Sequence, residues 1–183
     1  MSSRTPNTFY DFFPSTLPDG PPPRGHFPID VRSLRREFLQ LQAKAHPDLH
    51  PAEHKVRAEA TSATINEAFK TLANPLLRAQ YLLSLQGVNV AEDDTAKVED
   101  PELLMTVMEA REDIEAAEGE SELGPMREEN DERIRVSEET LEAAFKEHDL
   151  ERATAEAIRM RYWVNIKESL DNWEVGQPTV LQH

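Results

Sequence analysis

The chain contains no cysteine among its 183 residues. Disulfides, thiolate nucleophiles and cysteine-held metal clusters are thereby excluded. Basic residues are in deficit: 20 Lys and Arg stand against 35 Asp and Glu, for a net charge of −15. That balance argues against a nucleic-acid binder, which needs a basic surface. No apolar run is long enough to cross a bilayer, so neither nucleic acid nor membrane is expected as a partner. There is no strand pattern and no repeat at a solenoid period. A nucleophile–base pair and a glycine-rich phosphate loop are also missing, so the chain is not expected to be an enzyme. Aromatics make up only 7%, and the cluster of Phe9, Tyr10, Phe12 and Phe13 is expected in the core.

What remains is a helix-leaning composition, 38% hydrophobic and 30% charged. Its charge is uneven. Residues 24–80 carry 9 basic and 6 acidic side chains, a balance of +3. Residues 91–175 carry 10 and 27, a balance of −17. Such asymmetry suggests two modules with different partners.

Taken in order, residues 1–7 are short and polar, with one arginine. They are expected to be disordered and do not make a full mitochondrial presequence. Phe9, Tyr10, Phe12 and Phe13 read as a short helical turn that plugs its rings into the helices beyond. Leu17 to Pro28 holds five prolines and reads as a stiff loop. Asp30 is a candidate N-cap for a helix whose Leu34, Phe38, Leu41 and Ala45 share one face. A second helix opens near Pro51 and Ala52, with Val56, Ala60, Ala63, Ala68, Phe69 and Leu72 on its apolar side. Asn74-Pro75 starts a third, which Gly87 ends. Residues 88–99 read as a linker. Asp100-Pro101-Glu102 is a strong helix start, and that helix is expected to run to about Glu118. A mobile loop is expected over 120–124, then a helix from Pro125 to about Lys146 and a last one from Asp149 to about Trp173. Three helices joined by short loops predict an antiparallel bundle.

Between the first two helices lies His46-Pro47-Asp48. Proline disfavours helix at the residue before it, so His46 ends one helix and the tripeptide sits on an exposed turn. This setting resembles the loop of a J-domain, the part of a J-protein that stimulates an Hsp70 chaperone. The run Ala63-Thr-Ile-Asn-Glu-Ala-Phe-Lys-Thr-Leu72, followed by Asn74-Pro-Leu-Leu-Arg-Ala-Gln-Tyr-Leu-Leu-Ser-Leu85, resembles one branch of that family. The branch is the dedicated iron–sulfur co-chaperones, called HscB in bacteria and Jac1 in fungi. The resemblance runs from Thr8 to about Trp173, with the fungal mitochondrial type nearest. It implies an all-α fold: an N-terminal J-domain over 8–87, a helical hairpin with the His-Pro-Asp loop, and a C-terminal antiparallel three-helix bundle over 100–175. It also implies no cofactor and a mitochondrial matrix location for the fungal type, with the cytoplasm as the location if the chain is of the bacterial type. The implied partners are an Hsp70 of HscA/Ssq1 type and an iron–sulfur scaffold protein of IscU/Isu type. A general J-protein with broader clients is the alternative.

The resemblance assigns Hsp70 binding to His46, Pro47 and Asp48. It extends this to the neighbouring face of Arg35, Arg36, Gln40 and Lys44, which by itself reads as ordinary solvated charge. On the helix from Asp100, Leu103, Val107, Ala110 and Ile114 form a core stripe. Leu104 and Met108 form a second stripe about 100° round. Alone, these residues and Tyr162 leave core and surface readings equally open. The resemblance implies a scaffold-binding surface of Leu104, Met105, Met108, Glu109, Glu112 and Tyr162. Finally, His46, His50 and His54 have a spacing that could suggest metal. A proline turn interrupts it, so they are read as loop histidines.

Overall fold

The computed structural model describes residues 6–90 and 100–176. Residues 1–5 of the expected disordered start, and 91–99 of the expected linker, lie outside the described residues. Among the described residues there are six α-helices and no strand: α1 Val31–Ala45, α2 Lys55–Ala73, α3 Pro75–Leu85, α4 Pro101–Ala116, α5 Leu123–Lys146 and α6 Leu150–Asp171. The fold is all-α, as expected.

Helix starts follow local chemistry. Asp30, Asn74, Asp100 and Asp149 each accept a hydrogen bond from a backbone N–H of the first turn. Such caps satisfy donors that have no partner within the helix. α3 closes at Gly87, whose φ of +83° is left-handed and suits glycine. In the proline loop, a Cβ on Gly25 would meet the carbonyl oxygen of Gly20 at 1.8 Å, so no side chain fits there.

α1 and α2 form an antiparallel hairpin. Phe38 stacks on Phe69 with centroids 4.3 Å apart. Nearer the connecting turn, the Gln42 amide donates to the Ser62 carbonyl at 3.1 Å and to Asn66 at 2.8 Å. The buried side of α2 is Ala58, Ile65, Ala68, Thr71 and Leu72. Val56, Ala60 and Ala63, expected inward, are exposed. α2 is so rich in alanine that its apolar phase is weakly marked, and contact with α1 chooses the face. The short 3₁₀ turn Phe9–Phe12 anchors the start of the chain. Tyr10 and Phe13 are buried, and Glu37 accepts from the backbone of Ser15 and Thr16 at 3.0 and 2.8 Å.

α4, α5 and α6 form the bundle. Asn130 donates to the Trp163 carbonyl at 2.8 Å, and Arg127 to that of Leu170 at 3.1 Å, so α5 and α6 run antiparallel. α4 ends at Ala116 rather than Glu118. The expected loop over 120–124 is a 3₁₀ turn, Glu120–Glu122, leading straight into α5. Leu123 is fully buried, and that burial draws the helix start two residues ahead of Pro125.

One cluster of buried side chains joins the two halves. It runs from Tyr10, Phe27, Leu34 and Leu72 through Leu83 and Val90 to Leu141, Phe145 and Met160. Val88 and Val90 were expected in a linker, yet Val90 belongs to this cluster and Val88 packs against it. At the junction Arg78 is 2% exposed. Its guanidinium donates to the carbonyls of Leu72 and Phe27, each at 2.8 Å, and lies over the Phe27 ring. Phe27 stacks on Phe145, and its N–H donates to Glu142. Burial pulls the Arg78 pKa below its ordinary value. A second core, Leu103, Val107, Ile114, Leu123, Trp163, Ile166 and Leu170, fills the bundle between α4, α5 and α6.

Candidate functional site: two docking surfaces

The first surface is the turn after α1. His46 takes the extended backbone that a following proline demands, with φ −57° and ψ 129°. Pro47–Leu49 is then a single 3₁₀ turn. The Asp48 N–H donates to His46 Nδ1 at 3.2 Å. His46 Nδ1 also lies 3.4 Å from a carboxylate oxygen of Asp48, whose side chain is 81% exposed. The result is a pre-set turn holding an exposed carboxylate outward. That geometry suits the fork of a partner arginine, and the proline lowers the entropy lost on docking.

Arg32, Arg36, Gln40 and Lys44 are exposed along one side of α1, with Arg35 beside them. Leu39 is 59% exposed in their midst. It was not singled out from sequence because it falls off the Leu34–Phe38–Leu41 stripe. His50 Nε2 lies 3.2 Å from the Lys44 carbonyl, so His46 and His50 both turn into their own loop. Among the described residues no group of three or more His, Asp or Glu is placed to hold a metal ion.

The second surface is on α4. Leu103, Val107 and Ile114 face the core, while Leu104, Met105 and Met108 are 43%, 61% and 59% exposed. Glu109 and Glu112 flank them in solvent. A run of large apolar side chains held in water and rimmed by acids has the character of a protein-docking face. Tyr162 differs from its neighbours here. Expected among the side chains a bundle need not bury, it is half-buried and packs against the second core. The cause is the crossing of α4 over α6. Arg159 pairs with the α4 cap Asp100 at 3.0 Å, and Trp173 Nε1 donates to the Ile114 carbonyl at 3.2 Å. Tyr162 lies one turn beyond Arg159 on the same side of α6, so it falls on the seam with α4.

The geometry thus sets an exposed, pre-ordered turn on one unit and an apolar face on another. Comparison with known proteins then bears directly on what the chain is. The mitochondrial J-type co-chaperone Jac1 of Saccharomyces cerevisiae is 30% identical over 187 residues, spanning 100% of this chain and 97% of that protein. The chain belongs to the HscB/Jac1 family of J-type co-chaperones. The family model described as the HSCB C-terminal oligomerisation domain matches residues 99–171, the span of α4 to α6. The mouse iron–sulfur cluster co-chaperone protein HscB is 32% identical, over 79% of this chain and 62% of that protein. The solved yeast Jac1 superposes with a TM-score of 0.75 at 28% identity, covering 94% of this chain and all of that one. In this family frame the His-Pro-Asp turn belongs to the J-type half, and the α4 face to the C-terminal half. Among the described residues no helix is long and apolar enough to cross a membrane.

Proposed function

We propose that this HscB/Jac1-family chain stimulates ATP hydrolysis by a specialised Hsp70 of HscA/Ssq1 type and delivers to it an iron–sulfur scaffold protein of IscU/Isu type. Residues 8–87 act as the J-domain. His46, Pro47 and Asp48 engage the Hsp70, and Arg35, Arg36, Gln40 and Lys44 steer the encounter through charge. Residues 100–175 receive the scaffold on Leu104, Met105, Met108, Glu109, Glu112 and Tyr162. The cluster itself is cargo on the scaffold; a chain without cysteine offers it no thiolate. The place of action is the mitochondrial matrix, as suggested by relatives named as mitochondrial. The role is that of a co-chaperone, a non-enzymatic class.

The single observation that carries this reading is the exposure of both faces on two halves that one buried cluster joins. Asp48 is 81% exposed at one end, and the α4 apolar residues are in water at the other. Holding two partners on one body raises their effective concentration toward each other. The test is a pull-down on the full chain with scaffold and Hsp70 together, with and without ATP. The reading expects scaffold retained in both conditions and Hsp70 retained only in the presence of ATP. Displacement of scaffold by an unfolded polypeptide would favour the general J-protein instead.

A further inference from the structure

The turn end of the α1–α2 hairpin holds a cavity of about 480 Å³ that neither docking surface uses in full. Its floor is apolar: Phe12, Leu41, Ala45, Ala58 and Ile65. Ala58 and Ile65 are 7% and 3% exposed, so the bottom is formed by buried side chains. Its mouth carries Lys44, His50, His54 and Arg57. Every ionisable side chain lining it is basic, in a chain with 35 acids and 20 Lys and Arg. Glu59 and Glu67 stand on α2 itself, yet neither lines the cavity. The volume falls within the range of small-molecule pockets, which are apolar with a few convergent polar groups.

An apolar floor under a rim of basic side chains, with Lys44 and Arg57 as its fixed cations, complements one ligand shape: an aliphatic body with a single anionic head. We propose that this cavity binds a small amphipathic anion, a free medium-chain aliphatic carboxylate, its chain on Phe12, Leu41, Ala58 and Ile65 and its carboxylate among Lys44, His50, His54 and Arg57. Burial of the chain supplies affinity, and charge-assisted bonds at the mouth supply orientation. The site also touches regulation, a clause that rests on the proposed function. Lys44 belongs both to the cavity mouth and to the Hsp70-facing strip, and its carbonyl holds His50. A bound carboxylate would draw Lys44 inward and weaken Hsp70 coupling.

The test is calorimetry and methyl NMR on the full chain, titrated with decanoate below its micelle concentration. Decyltrimethylammonium is the control of opposite charge. The expected result is saturable one-to-one binding, shifts at Leu41, Ala45, Ala58 and Ile65, and binding of the cation at least roughly tenfold weaker. Arg57 is exposed, so Arg57→Glu should fold normally. It should lose about tenfold in decanoate affinity, the effect of one charged contact. Absence of saturation, equal binding of both amphiphiles, or shifts elsewhere would overturn the site. So would shifts at these residues seen only with anionic vesicles, only on adding Hsp70, or only as the chain self-associates in sedimentation. Binding requires no Hsp70, so a failure of ATPase stimulation would count against the proposed function and leave the cavity standing. Decanoate should lower stimulation by the wild type more than by Arg57→Glu. Binding without that difference would remove the regulatory clause alone.

Discussion

Replacing Leu104 and Met108 together with alanine separates docking from folding. Truncating a buried Leu or Met typically costs about 2–5 kcal/mol, because lost transfer energy is joined by a cavity. Leu104 and Met108 are 43% and 59% exposed. About half of each side chain is already in water, and no enclosed void is left behind. The expected stability loss is therefore about 1–2 kcal/mol in total, a fall in Tm of less than roughly 8 °C for a chain of this size. Binding should respond far more. Interface anchors cost roughly 1–4 kcal/mol each on truncation, and not additively. A joint loss of about 3 kcal/mol corresponds to roughly a hundredfold in Kd. Scanning calorimetry and scaffold titration on one preparation read both. Unchanged scaffold affinity would refute the placement of the site on α4. A collapse of the melt would refute the surface assignment itself. Tyr162 is left out of the pair because its half-buried ring packs on the second core, so its truncation would mix the two effects.

Other expectations follow from the junction and the strip. Arg78→Met leaves the Leu72 and Phe27 carbonyls without their donor. Partly offset by removal of a buried charge, this should cost about 2–4 kcal/mol, read by urea unfolding; a change below about 0.5 kcal/mol would contradict the clamp. Glu138 lies near Arg78 with its pKa raised by burial, a rise that attraction to Arg78 partly offsets. A folded pKa above the unfolded one means its contribution is present at low pH and lost as pH rises through the folded value. Glu138→Gln should therefore gain stability over wild type at neutral pH and show no gain near about pH 4; equal gain at both, in parallel denaturation curves, would remove the role of that charge. Reversing Arg36 and Lys44 to Glu should weaken Hsp70 stimulation, most at low salt, where exposed charge is least screened. A salt-independent stimulation curve matching wild type would return the strip to plain solvated charge.

Local chemistry was legible in the sequence, and tertiary choice was not. The caps at Asp30, Asp100 and Asp149 could be named because a short acceptor side chain acts on its own first turn. The stripe Leu103–Val107–Ile114 could be named because its spacing repeats every turn. The turn at His46-Pro47-Asp48 followed from what proline forbids. By contrast, the face of α2 was read correctly at Ala68, Phe69 and Leu72 but not at Val56, Ala60 and Ala63, since a run of alanines carries little hydrophobic contrast. The early start of α5 depended on a partner for Leu123, which only the packed bundle supplies. Tyr162 was placed by the crossing of α4 over α6, a contact between residues about 60 positions apart. The junction of Arg78, Phe27, Glu142 and Phe145 was hidden for the same reason, and a buried arginine is contrary to the usual fate of charge. Charge asymmetry had suggested two modules; the shared cluster from Tyr10 to Met160 joins them.

The central claim is that one chain couples an Hsp70 to a scaffold through two separate surfaces. Single-turnover ATP hydrolysis by the Hsp70, measured with scaffold and this chain together, tests it most directly. Asp48→Asn keeps the size of an exposed side chain and removes the charge that an arginine fork requires. The variant should lose stimulation while binding scaffold as tightly as wild type. Leu104→Ala with Met108→Ala should do the converse: retain the stimulation given by the chain alone and lose the extra stimulation that scaffold brings. Full stimulation by Asp48→Asn, in the presence of scaffold, would contradict the coupling at its first step.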